Sequence, residues 1–195
     1  QQSIMNFGIL MVQGLVNSFG TNVMAAFSAA VKIDTFAYSP VQDFGNAFST
    51  FVAQNHGAGE GERIHAGGRK AALAVLLFCG GVSLAVAVCA PGLMRIFVED
   101  PLVVDIGTKY LRIEGAFYCL IGFLFLFYGY FRAVEKPMVS VVLTVVSLGT
   151  RVALSYILSA IPAVGYVGIW VSIPAGWILA DLAGLCCLRK MGPGQ

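Results

Sequence analysis

The sequence predicts an all-α membrane protein with six transmembrane helices, and its composition is the first reason. Of its 195 residues, 58% are hydrophobic and only 11% are charged, whereas soluble domains have about 25% charged residues. The mean hydropathy is +0.82. Because the hydrocarbon core of a bilayer is about 30 Å thick, each spanning helix needs about 20 apolar residues. A chain of this length therefore has room for six spans with their loops.

Six apolar stretches, bounded by charged clusters and by Gly and Pro, are long enough to form these helices. Residues 72–90 are apolar without alternation, which argues against the strands of a transmembrane barrel. The predicted spans cover about residues 3–20, 23–53, 71–94, 110–131, 138–160 and 165–188.

The distribution of Lys and Arg predicts the orientation. Seven of these residues lie in the second and fourth connections and in the C-terminal tail, but only Arg95 and Lys109 lie in the other connections. Cytoplasmic loops carry the excess of Lys and Arg. We therefore expect a multi-pass protein of the inner (plasma) membrane with both ends in the cytoplasm. The start at Gln1, without Met or a signal segment, predicts a fragment of a longer protein.

Several classes of function are disfavoured. A net charge of +2 gives no electrostatic footprint for nucleic acid. The five cysteines lie in apolar runs without the spacing of metal ligands, so we expect them to pack and predict no metal site. The sequence contains neither H-E-x-x-H nor G-x-S-x-G, which disfavours an intramembrane enzyme. We predict no catalytic residues and no cofactor.

Polar residues form a stripe along one face of the first span and another along the fifth. In the first span, Asn6, Gln13 and Asn17 are spaced by seven and four residues, and in the fifth, Thr144 and Arg151 are spaced by seven. Such side chains need partners in hydrocarbon. They either hydrogen-bond between helices or line the path of a solute. Arg151 should have a carboxylate or carbonyl partner, or act on substrate.

The second span has the densest set of intramembrane charges, including Lys32 and Asp34, and contains Pro40. Residues two apart do not face each other on a helix, so we expect both charged side chains to find partners on neighbouring segments. Pro40 removes a backbone donor and predicts a bend. The bend is either static or part of an element that changes shape when a ligand binds.

Two further carboxyl groups, Glu114 and Asp181, fall within predicted spans. Asp181 shares a helix face with Trp177 and Trp170. Asp181 follows Trp177 by four residues, and Trp177 follows Trp170 by seven. It is either an interhelical carboxylate or part of an aromatic-walled cation site. Asp34, Glu114 and Asp181 are the candidates for coupling to an ion.

Several short segments distributed along the chain are distinctive as a set. The most specific is T-F-V-A-Q-N-H-G-A-G at residues 50–59. The others are N-S-F-G-T-N at residues 17–22, A-A-F-S at 25–28, I-D at 33–34, P-V-Q-D-F-G-N-A at 40–47, Y-L-R-I at 110–113, F-R-A-V-E-K-P at 131–137, T-R-V at 150–152 and G-I-W at 168–170. Together these segments resemble the C-terminal lobe of multidrug and toxic compound extrusion (MATE) transporters, with the DinF-like branch as the nearest type.

The resemblance implies that residues 1–195 are helices seven to twelve of a twelve-helix antiporter whose N-terminal lobe is absent from this sequence. It implies export of organic, often cationic, drug-like compounds in exchange for Na⁺ or H⁺, with the bilayer and the N-terminal lobe as partners. Substrate would meet the cleft residues Asn6, Gln13, Asn17, Lys32, Asp34, Thr144 and Arg151.

The sequence also departs from part of the family. Transporters of the NorM type carry acidic residues on the seventh helix and midway along the tenth, where this chain has amides in the first span and apolar residues at 121–123. That cation site is not carried over. The alternatives to an antiporter lobe are a related flippase of lipid-linked precursors, which would need an excess of cations in its cleft, and an inactive truncated product.

Overall fold

The computed structural model describes the backbone of residues 2–191 and the side chains of residues 7–190. Over this range the chain forms seven helices and no strand, which confirms the all-α prediction. The helices are α1 (Gln2–Asn17), α2 (Thr21–Gly57), α3 (Gly61–Arg95), α4 (Pro101–Gly115), α5 (Tyr118–Ala133), α6 (Pro137–Ser159) and α7 (Val167–Met191).

The fourth predicted span is a pair of helices, α4 and α5, which meet at a bend of 53°. The prediction placed its start at residue 110, but the helix begins at Pro101, where Asp100 caps it by accepting a hydrogen bond from the Leu102 backbone N–H at 2.8 Å. The apolar stretch starts later than the helix because the first turns of α4 contain Asp105, Lys109 and other charged residues. The helix start follows from local sequence, since Asp100 has the chemistry of an N-terminal cap and Pro101 that of a first helical residue.

Not every predicted span has the length and hydropathy of a membrane helix. Among the described residues, α3, α6 and α7 do, and the bent pair of α4 and α5 adds a fourth candidate. The described apolar part of α1 is shorter, covering Phe7–Asn17, and α2 continues as one helix through Pro40. The count of six spans stays a prediction.

Glycines allow the helices of the bundle to approach closely. A Cβ atom on Gly129 of α5 would lie 2.5 Å from the carbonyl oxygen of Gly45 on α2, and one on Gly176 of α7 would lie 2.4 Å from the carbonyl oxygen of Ser147 on α6. Small residues are enriched at such interfaces because they let backbones come together in lipid. These contacts join α2 to α5 and α6 to α7.

An aromatic cluster connects α2, α4 and α7. The ring of Trp170 is fully buried, stacks on Phe27 at a centroid distance of 5.5 Å and meets the edge of Tyr110 at 4.9 Å. By contrast, the most apolar stretch of α3 is only 17% buried. The polar cavity described below is lined by the other six helices.

Candidate functional site

A cavity of about 270 Å³, here called the central cavity, lies inside the bundle. Described residues from α1, α2, α4, α5, α6 and α7 line it, and the wall combines aromatic rings with an unusual number of polar groups. The polar and ionisable lining residues are Gln13, Asp34, Tyr38, Gln42, Tyr110, Glu114, Tyr128, Thr144, Ser147 and Arg151. Polar groups at this depth are typical of a ligand or ion path rather than of a helix interface.

Two carboxyl groups, Asp34 on α2 and Glu114 on α4, meet in this cavity and are here called the carboxyl pair. Each side chain is only 3% exposed. Tyr118 donates a hydrogen bond from its hydroxyl to Oδ1 of Asp34, and Tyr110 and Glu114 lie within interaction distance of the same carboxyl group. Oε1 of Glu114 is buried without a hydrogen-bond partner among the described residues. The pair is thus close together, buried and incompletely satisfied.

The bend between α4 and α5 assembles this arrangement. Glu114 stands in the last turn of α4, Tyr110 stands one turn earlier, and Tyr118 is the first residue of α5. Both sides of the bend thereby face α2. Irregular backbone at membrane depth is tolerated where protein covers it or where it lines a cavity. Residues on both sides of the bend thus reach the Asp34 carboxyl group.

Arg151 on α6 supplies a positive charge near the carboxyl pair. It lines the central cavity and interacts electrostatically with both carboxyl groups, but its buried Nε has no hydrogen-bond partner within the described part of the chain. The ion pair that the structure describes within 4.0 Å is Lys109 with Asp105, at 2.8 Å on the exposed face of α4. The carboxylate or carbonyl partner that the sequence predicts for Arg151 is therefore not bound at Nε.

The structure brings five of the predicted residues together: Gln13, Asp34, Glu114, Thr144 and Arg151 all line the central cavity. Thr144 donates a hydrogen bond to the backbone oxygen of Ser140 at 2.9 Å. These placements are compatible with the predicted roles, which stay predictions.

Other predicted residues lie elsewhere. The side chains of Asn17 and Lys32 are exposed and are absent from the cavity lining. Lys32 and Asp34 form no ion pair with each other among the described residues. One is exposed and the other is buried, as expected for positions two apart on a helix. The side chain of Asn6 lies outside the described residues.

Asp181 on α7 is a separate buried carboxyl group. It is 7% exposed, and neither of its oxygens has a hydrogen-bond partner among the described residues. It does not line the central cavity, although Tyr128, which does, is close enough to interact with it electrostatically. The structure therefore offers it no interhelical hydrogen bond, and it is distinct from the carboxyl pair.

The tyrosines around the carboxyl pair were missed by sequence reasoning. Tyr110 and Glu114 are four residues apart and so share a helix face, a signal that was available. By contrast, the contact of Tyr118 with Asp34 joins positions 84 residues apart, and no local pattern predicts it. Within the described residues there is no cluster of three or more His, Cys, Asp or Glu suited to a metal ion.

A sequence model of the MatE family matches residues 1–157 of this chain. The chain belongs to the MatE family. Its members are multi-pass membrane proteins and transporters rather than enzymes, so the predictions that this chain is a membrane protein and not an enzyme are confirmed. The resemblance to MATE transporters is likewise confirmed, while the assignment to the DinF-like branch stays a prediction.

Curated MatE relatives carry several names. The probable multidrug resistance protein YpnP of Bacillus subtilis is 26% identical over 75% of this chain and 33% of its own length. The probable multidrug resistance protein NorM of Thermotoga maritima is 21% identical over 88% of this chain and 37% of its own length. A FAD transporter of Shewanella oneidensis is 25% identical over 65% of this chain and 28% of its own length. The chain thus spans about a third of these proteins.

Solved structures show the same fold. A MATE protein crystallised in the bent conformation matches 97% of this chain, and 42% of its own chain is covered, with a TM-score of 0.90 at 20% identity. The transporter ClbM in complex with Rb⁺ matches 96% of this chain, and 44% of its own chain is covered, with a TM-score of 0.89 at 25% identity. The fold is therefore that of less than half of a MATE transporter.

Proposed function

We propose that this chain is the C-terminal lobe, helices seven to twelve, of a two-lobed antiporter that exports organic compounds, and that the carboxyl pair couples export to H⁺ or Na⁺. The proposal rests above all on the meeting of Asp34 and Glu114 in the central cavity, where Oε1 of Glu114 has no hydrogen-bond partner. The N-terminal lobe would supply the rest of the cleft.

The physical basis is the cost of two negative charges at one buried site. Two adjacent carboxyl groups are not both ionised away from water unless a cation lies between or beside them. Arg151 compensates for one negative charge at most. A proton or a Na⁺ that enters the cavity therefore relieves the remaining charge, and its release restores the repulsion. Binding of an ion and the shape of the site are thereby linked.

The hydrogen bonds around the pair favour an ordered exchange. Tyr118 donates to Oδ1 of Asp34, which uses one acceptor of that carboxyl group. The unpartnered Oε1 of Glu114 is the free acceptor. We therefore assign the first entering cation to Glu114, with Asp34 held in place by Tyr118.

The cavity wall suits an organic cation better than an anion. Phe27, Tyr128 and Trp177 are among its lining rings, and aromatic faces attract cations. Its carboxyl groups outnumber its single guanidinium. The names of two relatives, which describe multidrug resistance proteins, are consistent with such cargo. An anionic cargo, like FAD or a lipid-linked precursor, would require the opposite balance.

The test uses the full-length transporter that contains this chain, reconstituted in liposomes with an imposed H⁺ or Na⁺ gradient. Glu114→Gln and Asp34→Asn should each lower gradient-driven transport of the organic cation ethidium by about tenfold or more, the usual range of a coupling energy. Asp105→Asn removes an exposed carboxyl group from the same helix and is the matched control, which should transport normally.

The two gradients are imposed separately, so that the one that drives transport identifies the ion. Undiminished, gradient-driven transport by Glu114→Gln would disprove the coupling role of the pair. Faster transport of FAD than of ethidium by the unaltered protein would instead overturn the assignment of cationic cargo.

A further inference from the structure

A second depression, here called the basic groove, lies on the outside of the bundle. Its volume is about 340 Å³, and it is lined by residues of α2, α3, α5 and α7. Successive helices are joined by short connections, so the end of α2, the start of α3 and the ends of α5 and α7 lie at the same end of the bundle. The groove occupies this end.

The basic groove combines an apolar floor with positive charge. Phe123, Phe127 and Leu185 are among its apolar lining residues, and His65 and Arg69 are its ionisable ones. His65 and Arg69 are exposed and stand four residues apart on α3, hence on one face. None of its described lining residues carries a carboxyl group.

The surroundings strengthen the positive charge. Beyond the lining residues, Arg63 and Lys70 on α3 and Arg189 and Lys190 in the last turn of α7 belong to the same end of the bundle. The carboxyl groups at this end are Glu60 and Glu62 near the start of α3 and Glu135 between α5 and α6. Even with Glu135 included, the cations outnumber the carboxylates, so the local potential favours an anion.

A neighbouring groove provides an internal comparison. A depression of about 250 Å³ between α2 and α3 is lined by Pro40, Val41, Phe44, Ala74, Val75 and Phe78, none of which is charged. Both depressions offer an apolar surface to lipid chains. Only the basic groove, of these two, adds groups that bind a phosphate.

We propose that the basic groove binds one anionic phospholipid, whose phosphate contacts Arg69 and His65 and whose acyl chain lies along Phe127 and Leu185. Basic pockets between membrane helices on the cytoplasmic side are suited to anionic headgroups, and the distribution of Lys and Arg assigns this end of the bundle to the cytoplasm. The acyl chain fills the space between α3 and α7 along the surface of α5. It thereby stabilises the arrangement of α3, α5 and α7.

Binding is measured by native mass spectrometry of the full-length protein in detergent, with palmitoyl-oleoyl phosphatidylglycerol and the phosphatidylcholine of the same chains as probes. The unaltered protein should retain about fivefold more phosphatidylglycerol, given the attraction of each basic residue for an anionic headgroup. The double variant His65→Gln, Arg69→Gln should bind both lipids equally. Arg95→Gln, at the far end of α3, is the charge control and should keep the preference.

A second variant tests the apolar part of the groove. A Cβ atom on Gly68 would have Phe48 Cζ as its nearest neighbour, at 4.0 Å, so Gly68→Leu should fold and fill the groove. It should lower the retention of both lipids, whereas Ala74→Leu, in the uncharged groove, should not lower the retention of phosphatidylglycerol. If Gly68→Leu fails to fold, the charge variants decide the matter.

Three results would overturn the proposal. The first is equal retention of the two lipids by the unaltered protein, and the second is a preference for phosphatidylglycerol that persists in the double charge variant. The third is a lipid-free dimer that Gly68→Leu dissociates, which would assign the groove to a second copy of the chain. Since these readouts measure lipid binding and oligomeric state rather than transport, they are independent of the proposed coupling role of the carboxyl pair.

Discussion

The central cavity and the basic groove are of similar size, about 270 Å³ and 340 Å³, but their charged side chains differ in sign and in burial. In the cavity, Asp34 and Glu114 are almost fully buried. In the groove, His65 and Arg69 are exposed. A buried charge is costly unless it is paired or neutralised, whereas an exposed one costs little. A single bound cation should therefore change the free energy of the cavity strongly, whereas an anionic group bound at the groove should change that of the groove much less.

The largest difference between the two regions should appear when an aromatic side chain is removed. Trp170 is fully buried against Phe27 and Tyr110, two rings of the cavity wall. Trp170→Ala should lower the free energy of unfolding by about 3 to 5 kcal/mol, because a void replaces the packed ring. Thermal unfolding of the full-length protein in detergent measures the change.

Leu185→Ala is the matched change in the basic groove, where Leu185 is 43% exposed. Detergent or lipid can fill the space that it leaves, so its effect on the melting temperature should be much smaller. Equal losses from the two variants would contradict the view that the groove is open and the cavity wall is closed.

A smaller effect is expected when the Tyr118 hydroxyl, which donates a hydrogen bond to Asp34, is removed. Tyr118→Phe deletes the donor to Oδ1 and leaves a buried acceptor without its partner, which should cost about 1 to 3 kcal/mol. Ion-driven transport should also fall, with a changed dependence on pH, because Asp34 is no longer held in place. The control is Tyr130→Phe, which removes a tyrosine hydroxyl from the basic groove and should leave the pH profile of transport unchanged. A pH profile of Tyr118→Phe identical to that of the unaltered protein would exclude a positioning role.

The smallest effect is expected at the exposed ion pair on α4. Lys109 and Asp105 meet at 2.8 Å, but their side chains are 52% and 59% exposed, and water and salt screen such pairs. Lys109→Gln should leave both the melting temperature and transport unchanged. A clear loss would show that burial is the wrong criterion for ranking the charges of this chain.

The candidate site could be predicted in part. The spacing of Thr144 and Arg151 and the positions of Asp34 and Glu114 within apolar segments indicated that they face inward, and all four line the central cavity. Asp181 could not be separated from them, because its sequence context is the same. Only the packing of α7 shows that it lies outside the cavity lining.

Sequence reasoning was least successful where distant segments meet. Lys32 and Asp34 are neighbours in sequence, yet one is exposed and the other is buried, since a helix turns by about 100° per residue and only the neighbouring helices decide which direction is inside. Asn17 shows the same difficulty at the end of α1. Periodicity predicts which residues share a helix face, but not whether that face contacts another helix, a cavity or lipid.

The sequence by itself determined that this chain is helical, apolar enough for a membrane and similar to MATE transporters, because hydropathy and helix periodicity are local properties. The tertiary structure decided that α4 and α5 form a bent span, that Glu114 at the bend meets Asp34, and that Tyr118 is the hydrogen-bond donor to Asp34. These contacts depend on the distance between packed helices, which glycines on the facing surfaces make short. The distance between two helices depends on both of them, so the sequence of one segment does not encode it.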